Sequence, residues 1–350
     1  MTYPEAMVVG LIQGVTELFP VSSLGHNVLI PALIGGSWAQ DLSVSAPESP
    51  YLAFIVGLHV ATALALILYF WRDWVRLVKG FVSSLRERRI ATTDQRLAWM
   101  IILATIPVGI AGLLLEHAFR VFFSKPVPTA LFLALNGVIL LGGERMLKRR
   151  QPAAAAAPAA QALVTQSSAT QSLAAPGHRP ENGPENVTAP PRPDGEAPEP
   201  PAADGSARDA ETARGVAADG RLSTMGYRQA VLIGAAQIAA LLPGISRDGI
   251  VSVTGMFRGL SREDAVRFSF LLSAPVILAA GVLKIPDLTG PLGDGIRGQV
   301  LVGSLLSFVG AYLSVRFLTR YFAEQRSLAP FGIYCLIAGL GSLIFYLVAR

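Results

Sequence analysis

Two short stretches of this sequence concentrate the groups that could handle an anion. The first is Gln13-Gly-Val-Thr-Glu17-Leu-Phe-Pro20-Val-Ser22-Ser23-Leu-Gly25-His26; the second is Gln237-Ile-Ala-Ala-Leu-Leu-Pro243-Gly244-Ile-Ser246-Arg247-Asp248-Gly249. Gln13 and Glu17 stand four apart, so a helix carries both on one face. The stretch around them is apolar enough to enter a membrane, where an ionised carboxylate costs about 2.5–3.5 kcal/mol unless a polar cavity or a cation faces it. Glu17 is therefore a functional candidate. After the Pro20 break come two hydroxyls, a glycine and an imidazole, and the backbone N–H groups of such a turn suit a phosphate. His26 can act as nucleophile or as proton donor to a leaving group. In the second stretch Arg247 is the one strong cation between Gln229 and Phe257. Its planar fork of donors matches phosphate oxygens and cannot be neutralised by deprotonation. Asp248 beside it could hold the guanidinium, bind a metal or point to water. His59 reads as an interhelical hydrogen bonder.

Composition says what must position these groups. The 350 residues are 52% hydrophobic and 15% charged, with a mean hydropathy of +0.48. Apolar windows recur at 51–70, 98–115, 127–143, 266–285, 300–318 and 329–348, each long enough to cross a hydrocarbon core of about 30 Å. Six spanning helices are expected. The N-terminal residues have no basic leader region and carry Glu17 within their apolar run, so they read as structure rather than as a secretory signal. Cys335 is the single cysteine, which excludes an intramolecular disulfide and any thiolate metal cluster. Basic residues cluster at Arg72 to Arg96, at Arg145 to Arg150 and at Arg316, Arg320 and Arg326. One topology with both termini outside places all three clusters on the cytoplasmic side. No nucleic-acid partner is expected.

Residues 151–222 change character: Ala, Pro, Gly, Ser and acids replace branched and aromatic residues. Such a segment cannot bury enough surface to offset its ordering entropy, and a disordered cytoplasmic linker is expected there. It separates a first repeat, 1–150, from a second, 223–350. Each opens with an apolar helix too short to span, a proline break and a polar loop, and continues with three spans. An odd number of spans turns the second unit upside down relative to the first, which is an inverted repeat. Non-helical backbone at membrane depth is tolerated only against protein or a water-filled cavity, so the two loops should meet.

The Gln-x-x-x-Glu helix, the Pro-Val-Ser-Ser-x-Gly-His loop and the Pro-Gly-x-Ser-Arg-x-Gly loop, in this order, closely resemble the undecaprenyl-diphosphate phosphatase family, also called bacitracin-resistance proteins. The resemblance covers 1–150 and 223–350. It implies an all-α polytopic fold of six transmembrane helices plus two re-entrant helix pairs. It also implies removal of the terminal phosphate of undecaprenyl diphosphate on the outer side of the plasma (cell inner) membrane, which recycles the carrier lipid for peptidoglycan synthesis and confers bacitracin resistance. Glu17, Ser23, His26 and Arg247 match the family's catalytic positions, and Gln13, Ser22, Gly25, Gly244 and Ser246 are read as substrate contacts. A divalent cation, magnesium or calcium, is implied near Glu17 and Gln13, and the partners are a polyprenyl diphosphate, membrane lipid and, in a homodimer, a second copy. Three positions depart from the family pattern: Gln13 replaces an acid, Leu24 a hydroxyl residue and Asp248 a serine. The rival reading is a polyprenyl-phosphate transporter or flippase, since inverted repeats with broken helices also serve alternating access.

Overall fold

The computed structural model describes residues 1–42, 50–123, 125–172, 203–283 and 294–348, together with 286 and 290. The described residues are almost entirely helical and include no strand. The chain forms two compact units, Met1–Leu147 with Gly215–Arg350, and Lys148–Arg214. Both anion-handling stretches lie in the first unit.

The opening helix α1 (Tyr3–Leu18) starts at a reciprocal cap. Glu5 N–H donates to Thr2 Oγ1 at 3.4 Å and Thr2 N–H to Glu5 Oε2 at 2.6 Å, with Pro4 in the first turn, where its missing N–H is no loss. It stops before Pro20, and α2 (Ser23–Ile34) begins at Ser22. After α3 (Gly36–Asp41) come α4 (Pro50–Tyr69), α5 (Trp71–Glu87), α6 (Thr93–Phe123), α7 (Pro126–Ser172) and α8 (Ala203–Ser223). The second opening is α9 (Tyr227–Ala235), which tightens into a 3₁₀ segment (Ala236–Leu241) before the break. Then follow α10 (Arg247–Phe257), α11 (Arg262–Leu283), α12 (Arg297–Ala323) and α13 (Ala329–Val348).

Five segments, in α6, α7, α11, α12 and α13, are long and apolar enough to cross a membrane. A sixth is reached if α4 and α5, bent by 85° at Phe70, count as one span. The chain is thus a multi-pass membrane protein by length and composition.

The two opening helices exchange partners between halves. Gly10 and Gly14 of α1 face Gly303 and Ser307 of α12 so closely that a Cβ at either glycine would overlap the opposing backbone oxygen. Gly234 of α9 faces the Ala104 carbonyl of α6 in the same manner. Small residues at helical spacing permit this backbone approach in a membrane, where dispersion rather than water expulsion drives packing. Each opening helix therefore packs against a spanning helix of the other half.

Charged helix ends gather at one end of the bundle. Arg76 of α5 donates to Asp94 at the start of α6, at 2.9 Å, and to Asp219 of α8. Arg267 of α11 grips Asp219 through Nε at 2.9 Å and a terminal nitrogen at 3.0 Å. Arg262 pairs with Glu144 of α7 at 2.6 Å, both buried, and donates to the Gln325 carbonyl just beyond α12. The 261–267 stretch is a helix start, with Asp264 N–H on Ser261 Oγ at 3.0 Å, and its arginines and Asp264 also tie α11 to α7, to α8 and to the turn after α12. The linker boundary expected after residue 222 falls at 214: Asp219 and Leu222 are fully buried, and Arg221 forks Asp264. Helix also replaces the expected lack of structure at 151–172 and 203–222, because alanine carries the highest helix propensity. The remainder of that linker, 173–202, lies outside the described residues.

Candidate active site

The two proline breaks meet. Ser22 caps α2 from a left-handed conformation, φ 68°, and its Oγ accepts from Gly25 N–H at 3.3 Å. The same oxygen accepts from Gly244 N–H of the other loop at 3.2 Å. Gly25 and Gly244 are in turn packed so tightly that a Cβ on Gly25 would lie 3.1 Å from the Gly244 Cα. Gly244 has φ +112°, where any other residue is strained, and a Cβ there would meet the Leu133 nitrogen and Thr129 oxygen at 2.6 Å. Ser246 caps α10 by accepting from Gly249 N–H at 3.1 Å. The capping serines thus stand two residues after the first proline and three after the second, and Ser23, the sequence match to Ser246, has another task.

That task concerns Glu17. Its carboxylate takes a short hydrogen bond from Ser23 Oγ and a short ion pair from Arg247, and it accepts from Gln13 Nε2 at 2.8 Å. Gln13 Oε1 accepts from Asn27 Nδ2 at 2.6 Å. Glu17 is buried, as are Gln13, Ser22, Ser23, His26 and Ser246. The Nε of Arg247 is buried without a protein acceptor among the described residues, which leaves a donor directed to any anion that enters. With α2 and α10 both starting here, the positive ends of two helices add their N–H groups to that donor.

His26 keeps both ring nitrogens bonded. Nδ1 lies 2.7 Å from the Ser22 carbonyl and Nε2 lies 2.7 Å from the Tyr334 hydroxyl. Three further residues belong to the site's frame although the sequence did not single out their place in it. Asn136 of α7, fully buried, donates to the Pro20 carbonyl at 3.0 Å and accepts from Ser246 N–H at 3.0 Å, so one amide ties both loops. His59 of α4 donates from Nδ1 to its own helix at Ile55, at 2.8 Å, and holds Nε2 3.5 Å from Glu17 Oε2. It is a neighbour of the acid rather than only an interhelical bonder. Tyr334 is the third. A polar residue on an otherwise apolar span was the one available signal for Asn136 and His59.

Asp248 resolves differently from its expected alternatives. It is buried, so it does not point to water, and its Oδ1 accepts from Ser269 and Ser273 of α11, each at 2.6 Å. It anchors α10 to α11. Gln13 and Glu17 do not fit a resident cation. Gln13 turns its amide NH₂ toward Glu17, its oxygen already serves Asn27, and Arg247 stands where a metal's positive charge would be repelled. Among the described residues no three His, Cys, Asp or Glu side chains group as metal ligands.

A multi-pass membrane protein, helical in its described residues, with a partly buried acid–guanidinium pair, capping serines and two helix N-termini at paired loops has the donors to receive a phosphorylated ligand. The family described as bacitracin resistance protein BacA matches residues 6–178 and 207–341, and the chain belongs to it. It is 57% identical over 345 residues to an undecaprenyl-diphosphatase of Mycolicibacterium paratuberculosis (strain ATCC BAA-968 / K-10), an alignment covering 99% of this chain and 97% of that protein. An undecaprenyl-diphosphatase 2 of Frankia alni is 52% identical over 353 residues, covering 97% and 96%. One of Chromobacterium violaceum is 36% identical over 348 residues, covering 98% and 99%.

Proposed function

We propose that the chain is an undecaprenyl-diphosphatase: it removes the terminal phosphate of undecaprenyl diphosphate and returns the monophosphate carrier to peptidoglycan synthesis. Family membership and the names of relatives that align over nearly the whole chain support this activity, and bacitracin resistance follows from the family. The observation that carries it to particular residues is the Glu17–Arg247 pair at the meeting of the two loops.

In this reading Arg247 leaves Glu17 for the diphosphate and grips it with its fork, while the N–H groups at the starts of α2 and α10 receive the remaining oxygens. His26 attacks the terminal phosphorus through Nε2, or, once protonated there, gives that proton to the leaving oxygen while a water attacks the phosphorus. The bond from that phosphorus to the bridging oxygen breaks, and its electron pair departs with the polyprenyl phosphate. Where a phosphoenzyme forms, water then releases orthophosphate. The hydrogen bond from Ser23 to Glu17 favours a second reading in which Ser23 attacks and Glu17 takes its proton. Magnesium or calcium would supply charge neutralisation on the oxygens of the diphosphate itself, since the oxygens of Gln13 and Glu17 are taken by Asn27, Ser23 and Arg247.

The exchange of partners between halves supports an inverted repeat of two re-entrant pairs and six spans. With the basic helix ends cytoplasmic, the site opens toward the outer side of the plasma membrane. Protein purified in detergent and given farnesyl or undecaprenyl diphosphate with magnesium should release orthophosphate. Lipid movement across reconstituted vesicles with no phosphate release would instead support the transporter.

A further inference from the structure

A carbonyl oxygen only accepts, so the 2.7 Å contact between His26 and Ser22 puts a proton on Nδ1, and in the neutral imidazole this leaves the lone pair on Nε2. The Tyr334 hydroxyl, 2.7 Å away, can then only donate to it. The two rings are also stacked, with centroids 5.7 Å apart and planes 4° from parallel. Nothing in the loop motifs points to this residue. Tyr334 comes from α13, 308 positions away in the chain, and it is 47% exposed on the outer surface of the bundle while His26 is 6% exposed.

We propose that Tyr334 is a positioning residue that caps His26: its hydroxyl holds the imidazole in the Nδ1–H form with Nε2 aimed out of the loop, and the diphosphate displaces it. The proposal rests on His26 serving the reaction proposed above. The cap occupies the one nitrogen that could attack phosphorus or receive a proton, so Nε2 is free for chemistry only when the hydroxyl has left. Because Tyr334 is half-exposed on an apolar helix long enough to span a membrane, its side chain has room to turn outward without repacking the core. A ligand arriving from the membrane would meet the tyrosine before the histidine.

Tyr334→Phe keeps the stacked ring and deletes the hydroxyl alone. Diethyl pyrocarbonate, which acylates an unprotonated imidazole nitrogen, reads the cap directly when His26 and His59 peptides are quantified by mass spectrometry in the full chain. Loss of one neutral hydrogen bond should raise the His26-to-His59 labelling ratio about fivefold. The same variant should lower KM for farnesyl diphosphate with kcat held, since the substrate no longer competes with a hydroxyl. Tyr334→Leu, which removes the ring as well, should raise the labelling ratio at least as far. An unchanged ratio in both variants overturns the cap, and a raised KM overturns displacement by substrate. Labelling does not depend on turnover: wild-type protein that releases no phosphate while its variants label faster would sink the diphosphatase reading and leave the cap standing.

Discussion

Arg247 and Glu17 are 230 residues apart in the chain and form an ion pair, buried on the Glu17 side, where the two proline breaks meet. It is the direct charge contact between the two loops. The pair therefore does two things: it holds the loops together while the site is empty, and it stores a guanidinium that a diphosphate can claim.

Removing one member leaves the other as an unpaired charge. Arg247→Ala and Glu17→Ala should each destabilise the protein by about 3–5 kcal/mol, and the double variant by clearly less than their sum. Thermal melting of all three in one detergent checks this; additive losses would mean that the pair does not couple the halves.

Gly244→Ala should be more damaging than an exposed glycine change, because a positive φ and two backbone atoms at 2.6 Å oppose the new methyl together. Strain alone contributes about 1–3 kcal/mol. Gly220→Ala, which meets nothing within 4 Å and sits within a helix, is the matched control and should melt at or above the wild-type temperature.

Asn136→Leu deletes the amide that serves the Pro20 carbonyl and the Ser246 N–H. Each buried group left unsatisfied costs about 1–3 kcal/mol. Expected are a lower melting temperature and a raised KM from loosened loops, measured by melting and by phosphate release at varied substrate. Asn136→Asp should restore the contact to Ser246 but not the one to Pro20.

Asp219 is fully buried between Arg76 and Arg267, outside both loop motifs but in the same compact unit. Asp219→Ala should lower stability by about 3–5 kcal/mol while KM stays near the wild-type value. A selective change in KM with unchanged melting would contradict its assignment as a clamp for the helix ends.

An acid-labile phosphoenzyme that survives in Ser23→Ala and disappears in His26→Ala would favour His26 as nucleophile. The reverse pattern would favour Ser23 with Glu17 as its base.

The residues carried by the loops were legible in the sequence because function forces polar groups into an apolar run, where they stand out. Glu17, Ser22, Ser23, His26, Ser246 and Arg247 come together in the fold. Gly10 and Gly14, four apart on α1, make the close contact, and only the fold supplies its partner on α12. What sequence could not give is register between distant segments. Asn136, His59 and Tyr334 sit on long apolar helices, and only the packing of α4, α7 and α13 around the breaks brings them to the site. Which serine caps was not legible, for a local reason: capping is decided by backbone geometry, and Ser22 adopts the conformation that lets its own oxygen cap α2. Asp248 misled because its two serine partners lie 21 and 25 residues downstream on another helix. At the linker, composition failed to separate the end that docks through Asp219 from the rest.

The most direct test of a single site built from both loops is orthophosphate release from farnesyl diphosphate by wild type, Glu17→Gln and Arg247→Ala, each shown to be folded. Loss of one preorganised donor at a phosphoryl-transfer centre lowers turnover by about 10²–10³-fold. The account predicts a loss of that size in both variants, one from each half of the chain. Phosphate release at the wild-type rate by Arg247→Ala would contradict it.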